Sequence, residues 1–257
     1  MLLFCIKKTF FNMWDNMLDI FLMNVVMILL VCGLGLLLGT VYPVPFLFFI
    51  CLFSGFLLLN FYMGAVSRYT RDISDHSKGG IIVFLKYLLS SWKQSIVSSV
   101  IMFLLLELAV DIIPFYFNSD SIVSLIIMLL LSQVWIIAFL SGLYYLPVSF
   151  RLTDKIRKSI QASLLLLFEN RGFTFYMFFG IIIIIVISLL FLFLLFGPAT
   201  IMLWINVCVK LRLYKYDYLE THPLADKKKI PWPELISRDE ELIGERTLRG
   251  LIFPWKS

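Results

Sequence analysis

The sequence predicts an all-α, polytopic transmembrane helix bundle with six spans, cytoplasmic amphipathic helices and a short cytoplasmic tail. Its 257 residues are 61% hydrophobic and only 15% charged, with a mean hydropathy of +0.94. Soluble domains are roughly 45–50% apolar and about 25% charged. The apolar residues also form runs close to the roughly 20 residues that a helix needs to cross a bilayer. These two observations exclude a soluble enzyme, a secreted disulfide-rich module and a disordered chain.

Six apolar runs define the predicted spans, and short turns join three pairs of them. Pro43 and Pro45 break the chain between the first two runs, and Gly197–Pro198 does the same before the sixth. The spans are residues 17–39, 46–66, 95–117, 122–148, 173–196 and 199–213. Residues 1–213 therefore form the predicted membrane domain, and residues 214–257 form the predicted cytoplasmic C-terminal tail.

The distribution of basic residues predicts the orientation of these spans. If the N-terminus is cytoplasmic, the four cytoplasmic segments carry 2, 5, 5 and 10 Lys and Arg residues, which together are all 22 in the chain. The three turns on the opposite side carry none. Because cytoplasmic loops are enriched in Lys and Arg, both termini are expected in the cytoplasm. The net charge of +5 thus reflects membrane topology and does not indicate nucleic-acid binding.

Two long cytoplasmic loops contain apolar-rich helical patterns with lysine on one face. These patterns cover residues 81–96 and 154–168. They are typical of helices that lie on the inner leaflet, with Lys side chains reaching the headgroups. The alternative is that they extend the third and fifth spans into the cytoplasm, or that they pack as re-entrant segments.

A pair of carboxylates in the third span is the strongest candidate for a transport site. Glu107 and Asp111 are four residues apart and so share one helical face. Ionisable residues inside a span are costly and are functional candidates by default, here for a proton or cation. The alternative is that both approach the outer interface and stay hydrated or protonated there.

Four amide side chains lie singly in four different spans. They line a common polar path, or they form hydrogen bonds between helices, which is the commoner role. These residues are Asn24, Asn60, Gln133 and Asn206.

The tail combines a basic cluster with large apolar residues. The cluster is expected to favour anionic inner-leaflet lipids, and it consists of Lys227, Lys228 and Lys229. Residues Ser237–Glu240 resemble a capping box that opens a short helix. The apolar residues either fold back onto the protein or dock a partner, and the docking candidates are Trp232, Phe253 and Trp255.

Catalytic and metal-binding patterns are missing from the sequence. The four cysteines lie within or beside apolar runs, and His76 and His222 have no second ligand at metal spacing. No motif for nucleophilic catalysis, nucleotide binding or zinc binding is present. We therefore expect no cofactor, no metal and no enzymatic activity.

One hairpin resembles a known family. The segment Phe196-Gly197-Pro198-Ala199-Thr200 leads into an apolar span, and Trp14 and Asn24 flank and enter the first span. In these features the chain resembles the YesL-like family of small bacterial integral membrane proteins, over about the first hundred residues and the last hairpin. The resemblance implies a bacterial inner-membrane protein of poorly defined function, and it implies no catalytic residues.

The expected function is that of a non-enzymatic accessory or scaffold component. Its cytoplasmic face and tail would recruit a protein partner, and membrane lipids would be its other partners. The alternative is a small transporter or channel that uses Glu107 and Asp111.

Overall fold

All regular structure in the described part of the chain is helical. The computed structural model describes residues 1–77, 79–119, 121–153, 155–223, 226, 230–244 and 246. Lys227, Lys228, Lys229, Phe253 and Trp255 lie outside the described residues. The helices are α1 Leu2–Asp15, α2 Met17–Val41, α3 Pro45–Ser74, α4 Ile81–Ser90, α5 Trp92–Glu107, α6 Ile113–Phe117, α7 Ile122–Arg151, α8 Ile156–Glu169, α9 Arg171–Leu190, α10 Pro198–Thr221 and α11 Trp232–Ile243. A π-helical turn, Leu108–Ile112, joins α5 to α6.

Five helical segments are long and apolar enough to cross a membrane. They are α2, α3, the segment from α5 through α6 (Trp92–Phe117), α7 and α9. Many of their large apolar side chains face outwards, and Leu36, Phe46 and Ile122 are each at least three-quarters exposed. Large apolar surfaces of this extent are typical of a protein that lipid surrounds. The structure therefore confirms an all-α architecture consistent with a multi-pass membrane protein.

The sixth predicted span, residues 199–213, lies in α10, which is the central helix of the bundle. Eight consecutive residues, Met202–Val209, are buried. Because successive residues of an α-helix point about 100° apart, such a run means that other elements surround the helix on all sides. α10 packs against α1, α2, α3, α7, α9 and α11.

The turn between α9 and α10 lies beside the first third of α2, about 10 Å from the start of that helix. The side chain of Asn24 accepts a hydrogen bond from the backbone N–H of Ala199, at the start of α10. Asn24 is 17 residues before Val41, the end of α2, which places this contact about 26 Å from that end. α10 therefore begins inside the α2–α3 hairpin, well before the far end of that hairpin. It then runs towards the end of α3 that contains Ser74, since Lys210 contacts that residue.

α9 ends earlier than the predicted fifth span. The helix stops at Leu190, although apolar residues continue to Phe196. Leu192 and Phe193 have φ angles of 49° and 59°, in the left-handed region that bulky residues rarely adopt. The chain leaves the helix there and reverses into α10.

Shorter helices occur in both predicted amphipathic loops and in the tail. α4 and α8 occupy the two loops, and α4 is followed directly by α5. α11 begins at Trp232, five residues before Ser237, so the predicted capping box is inside the helix. Pro231 and Pro233 define the start of this helix instead, because proline is well tolerated in a first turn.

Candidate functional site

The carboxylate pair lies where the helix changes its hydrogen-bonding pattern. Glu107 is the last residue of α5, and Asp111 lies in the π-helical turn that follows. The two carboxyl groups contact each other, as their spacing predicted. Glu107 is half-buried and Asp111 is exposed. π-helical turns occur often at functional sites, so the pair stays a candidate.

Asn24 binds the turn between α9 and α10. Its Nδ2 donates to the carbonyl oxygens of Leu194 at 3.1 Å and Leu195 at 3.2 Å. Its Oδ1 accepts from the Ala199 N–H at 2.9 Å, and Thr200 Oγ1 donates to the Leu195 carbonyl at 2.8 Å. Backbone groups that leave a helix in an apolar environment need such partners. Asn24 thus supplies both acceptor and donors to this turn.

Two of the other amides join helices, and one faces outwards. Asn60 Oδ1 accepts from Ser98 of α5 at 3.0 Å. Asn206 Nδ2 donates to the Ser67 carbonyl of α3 at 3.1 Å. Gln133 is exposed on α7. The described amides therefore lie in separate contacts.

The most prominent polar feature is a network of ion pairs, which we call the charge network; it is buried at Lys8 and Asp239 and exposed at Asp75. It consists of Lys8, Asp75, Arg151, Lys210 and Asp239. These residues come from α1, from the end of α3, from the end of α7, from α10 and from α11. The network therefore joins five segments that are far apart in the sequence.

Asp239 is the point at which three of these segments meet. Its Oδ1 lies 2.7 Å from Lys8 Nζ and 3.2 Å from Lys210 Nζ. Its Oδ2 accepts a hydrogen bond from Tyr214 at 3.2 Å. Lys8 has no exposed surface and Asp239 is 2% exposed. A buried charge of this kind is tolerated only where opposite charge and hydrogen bonds surround it.

Lys210 continues the network to Asp75. Lys210 Nζ lies 3.1 Å from Asp75 Oδ1, and Arg151 Nη1 lies 3.1 Å from Asp75 Oδ2. Arg151 Nη2 also donates to Ser74 Oγ. Both oxygens of both carboxylates are thus bound by cations or by a hydroxyl. A carboxylate bound in this way has little capacity left to act as a general base, so the arrangement is structural in kind.

The network contains three cations and two carboxylates, and this excess shifts the pKa values of its members. Burial, together with the nearby Lys210 cation, lowers the pKa of Lys8 to about 8, against the opposing effect of Asp239. Burial alone would raise the pKa of Asp239, but Lys8 and Lys210 outweigh it and hold that pKa below its usual range. Arg151 and Lys210 outweigh burial at Asp75 in the same way. Both carboxylates are therefore ionised at neutral pH.

A polar cavity of about 520 Å³ opens beside the network. Its walls include Arg71, Asp72 and Asp217 as well as members of the network. Arg71 is itself bound, because it donates to the Phe150 carbonyl at 2.6 Å and to Asp72 at 3.0 Å. Charges of both signs line the cavity and most are paired with each other. Within the described residues, no group of His, Cys, Asp and Glu side chains could hold a metal ion.

The network attaches the tail helix to the bundle. Besides Asp239, α11 buries Ile236 and Ile243. Trp232 is half-buried, and the Arg212 guanidinium lies 5.8 Å from the centre of its ring. The described part of the tail therefore folds back onto α10 and α1.

Sequence reasoning did not single out the members of the charge network. It assigned Lys8 and Arg151 to cytoplasmic segments, it included Lys210 near the end of the sixth predicted span, and it placed Asp239 inside a capping box. A usable signal was present at Lys8, which lies in the apolar stretch Leu2–Phe11. Lys7 and Lys8 are adjacent there and point about 100° apart on a helix, so a lysine that is turned away from water has to find a partner.

Comparison with family models, with curated proteins and with solved structures gives no match to this chain. The resemblance to YesL-like proteins accordingly remains an expectation from the residues alone.

Proposed function

We propose that this protein is a non-enzymatic scaffold component of the bacterial inner membrane that presents its tail helix to a protein partner. The observation that carries the proposal is the attachment of α11 through Asp239, Lys8 and Lys210. Buried ion pairs add little net stability, but breaking one is costly, so they fix one geometry of the groups that they join. A tail helix held in this way is a rigid surface for recognition.

The outward face of α11 indicates the kind of partner. Its exposed residues include three carboxylates and one arginine, followed by an exposed leucine; these are Glu234, Arg238, Glu240, Glu241 and Leu242. The exposed face of α11 is acidic, whereas the cytoplasmic segments of the protein, to which all Lys and Arg residues are assigned, are basic. We therefore expect the partner to be a protein with a basic surface.

The proposal includes a topology in which both termini are cytoplasmic. The sorting of all Lys and Arg residues to one side supports this orientation. Four segments, α2, α3, Trp92–Phe117 and α7, cross the membrane fully. The α9–α10 hairpin enters and leaves on the cytoplasmic side, because its turn lies beside Asn24, about 10 Å from the cytoplasmic start of α2 and about 26 Å from its far end. The fifth and sixth predicted spans thus form a hairpin that returns to the side from which it entered. Because the other four segments cross fully, both termini still lie on the same side of the membrane.

Crosslinking in living cells tests the scaffold function. A photo-reactive residue at Glu241 or Leu242, on the exposed face of α11, is expected to crosslink the same protein from both positions. Combined replacement of Glu234, Glu240 and Glu241 by lysine is expected to abolish that crosslink from Leu242. The matched control is Glu220→Lys on the exposed end of α10, which should leave it intact.

Two outcomes contradict the scaffold proposal. One is the absence of a shared crosslinked protein, and the other is a crosslink that survives reversal of the three charges. Size-exclusion profiles in detergent establish that the triple variant folds, so that loss of the crosslink reports on recognition. If the triple variant does not fold, Glu241→Lys alone is expected to weaken the crosslink from Leu242.

A transporter or channel is the second candidate, supported by the π-helical turn at the carboxylate pair. In that case Glu107 and Asp111 carry a proton or cation, and neutralising both residues to Gln and Asn should abolish proton flux into proteoliposomes that contain a pH-sensitive dye. Flux that the double variant retains, or a wild-type protein that carries none, contradicts this candidate.

A further inference from the structure

An apolar cavity lies between α1, α9 and α10, apart from the charge network. It has a volume of about 260 Å³. Along α9 its wall extends from Tyr176 to Ile187, which is about 17 Å of helix. Phe10 of α1 and Phe196 of the α9–α10 turn close other sides. A long apolar cavity of this shape suits an alkyl chain rather than a polar metabolite.

Besides Tyr176, whose Oη donates to the Leu2 carbonyl at 2.7 Å, three polar groups lie in the walls of this cavity, and two of them are already engaged. Trp204 Nε1 donates to the Met177 carbonyl at 2.9 Å, and Thr200 Oγ1 donates to the Leu195 carbonyl. The third group is the hydroxyl of Thr9. Thr9 is 6% exposed, and its Oγ1 has no hydrogen-bond partner within the described part of the chain.

An unpartnered buried hydroxyl needs a physical explanation. Leaving such a group unsatisfied is destabilising, and native proteins contain few of them. A threonine inside a helix usually satisfies its hydroxyl with a carbonyl of the preceding turn. Thr9 makes no such bond. The hydroxyl is thus available to a group that enters the cavity.

The outer surface of α1 indicates where that group comes from. Leu3 is 81% exposed, Ile6 and Trp14 are each almost half exposed, and Phe10 stacks on Trp14. The opposite face of α1 carries Lys8 towards the charge network. An amphipathic helix with this outward apolar face lies in the membrane interface. The cavity beneath it therefore opens to the lipid phase.

We propose that this cavity binds one acyl chain of a membrane phospholipid, whose ester carbonyl accepts a hydrogen bond from Thr9 Oγ1. A neutral hydroxyl matches a neutral ester carbonyl, whereas the carboxylate of a free fatty acid would need a cation. Of the two cations on α1, Lys8 is bound to Asp239 and Lys7 donates to the Gly244 carbonyl. This proposal is independent of the scaffold function, because the cavity and the exposed face of α11 share no residue.

Native mass spectrometry of the protein in mild detergent tests the proposal. The wild-type chain is expected to retain a phospholipid after extensive washing. Ile184→Phe fills the cavity and is expected to remove that lipid. Ile182→Phe is the matched control, because Ile182 is on the same helix but does not line the cavity. Thr9→Val, which keeps the shape and removes the hydroxyl, should lower retention several-fold.

Three outcomes overturn the proposal. The first is a wild-type protein that carries no tightly bound lipid. The second is equal retention by Ile184→Phe and Ile182→Phe, which would mean that the retained lipid lies elsewhere. The third is retention of a free fatty acid instead of a phospholipid, which would assign the site to another ligand. If Ile184→Phe does not fold, the comparison of Thr9→Val with wild type decides the matter.

Discussion

Asp239 holds two buried ammonium groups close together. Lys8 and Lys210 both lie within 3.2 Å of its Oδ1. Without this carboxylate two like charges would face each other in a site where Lys8 has no access to water. The two cations are not equivalent, since Lys210 also contacts Asp75, whereas Lys8 has Asp239 as its partner. Removing an anion and removing a cation should therefore have unequal effects.

We predict that Asp239→Asn destabilises the protein far more than Lys8→Met. Asp239→Asn leaves buried cations uncompensated, which costs roughly 3–5 kcal/mol. Lys8→Met removes the excess positive charge and keeps a long, largely apolar side chain, so it should cost about 1 kcal/mol or less. Thermal unfolding in detergent measures both effects.

The control for this comparison is Glu241→Gln, on the exposed face of the same helix. It should leave the melting temperature unchanged, because exposed charges contribute little. Equal losses from Asp239→Asn and Lys8→Met would contradict the assigned roles.

The lowered pKa of Lys8 predicts a dependence of stability on pH. Its pKa is about 8 in the folded protein and 10.5 in the unfolded chain. Between these values the unfolded chain binds more protons, so stability rises with pH, by at most about 1.4 kcal/mol per pH unit. Comparing wild type with Lys8→Met from pH 7.5 to 10 isolates this contribution, because other groups titrate in both. If the free energies of unfolding of wild type and of Lys8→Met change in parallel with pH, the predicted contribution of Lys8 is contradicted.

The α9–α10 hairpin is the element whose behaviour departs most from the sequence pattern. The predicted fifth span, residues 173–196, is 24 residues long and predominantly apolar, which predicts a full crossing. Instead the helix ends at Leu190, and Asn24 binds carbonyl groups of the turn. Hydropathy cannot reveal this, because it records how apolar a segment is and not which buried amide will pair with its backbone. The other apolar helices begin within about three residues of their predicted starts.

Cysteine labelling distinguishes a re-entrant hairpin from a full crossing. In a chain whose native cysteines are replaced by alanine, single cysteines replace Leu192, Val44 and Ser119. Val44 and Ser119 lie in the turns at the far ends of α2–α3 and α6–α7. A membrane-impermeant maleimide applied from outside should label these two positions and leave Leu192→Cys unlabelled, since its turn lies beside Asn24, about 26 Å from the far end of α2.

Labelling in detergent after unfolding provides the control for this experiment. All three single-cysteine chains should then react equally. Leu192→Cys that reacts from outside as readily as Ser119→Cys would establish a full crossing and contradict the re-entrant hairpin.

For the whole molecule, the sequence was sufficient for class and insufficient for the site. Hydropathy and the one-sided distribution of Lys and Arg predict a helical membrane bundle, because both respond to the bilayer and not to tertiary contacts. The charge network depends on tertiary contacts alone. Lys8 and Asp239 are 231 residues apart, and nothing local to either residue indicates the other. The pairing of Glu107 with Asp111 was predictable for the opposite reason, since four residues separate them on one helix.

The separation of Lys8 from Asp239 also has a consequence for biogenesis. During synthesis the ribosome makes Lys8 at the start of the chain and Asp239 near its end. Until α11 emerges, the amino-terminal helix can bury its ammonium group only next to Lys210, another cation. The final packing of α1 onto α10 must therefore wait for the tail. A chain that stops before Asp239 will keep its first helix undocked, a state that membrane quality-control proteases can distinguish from the finished protein.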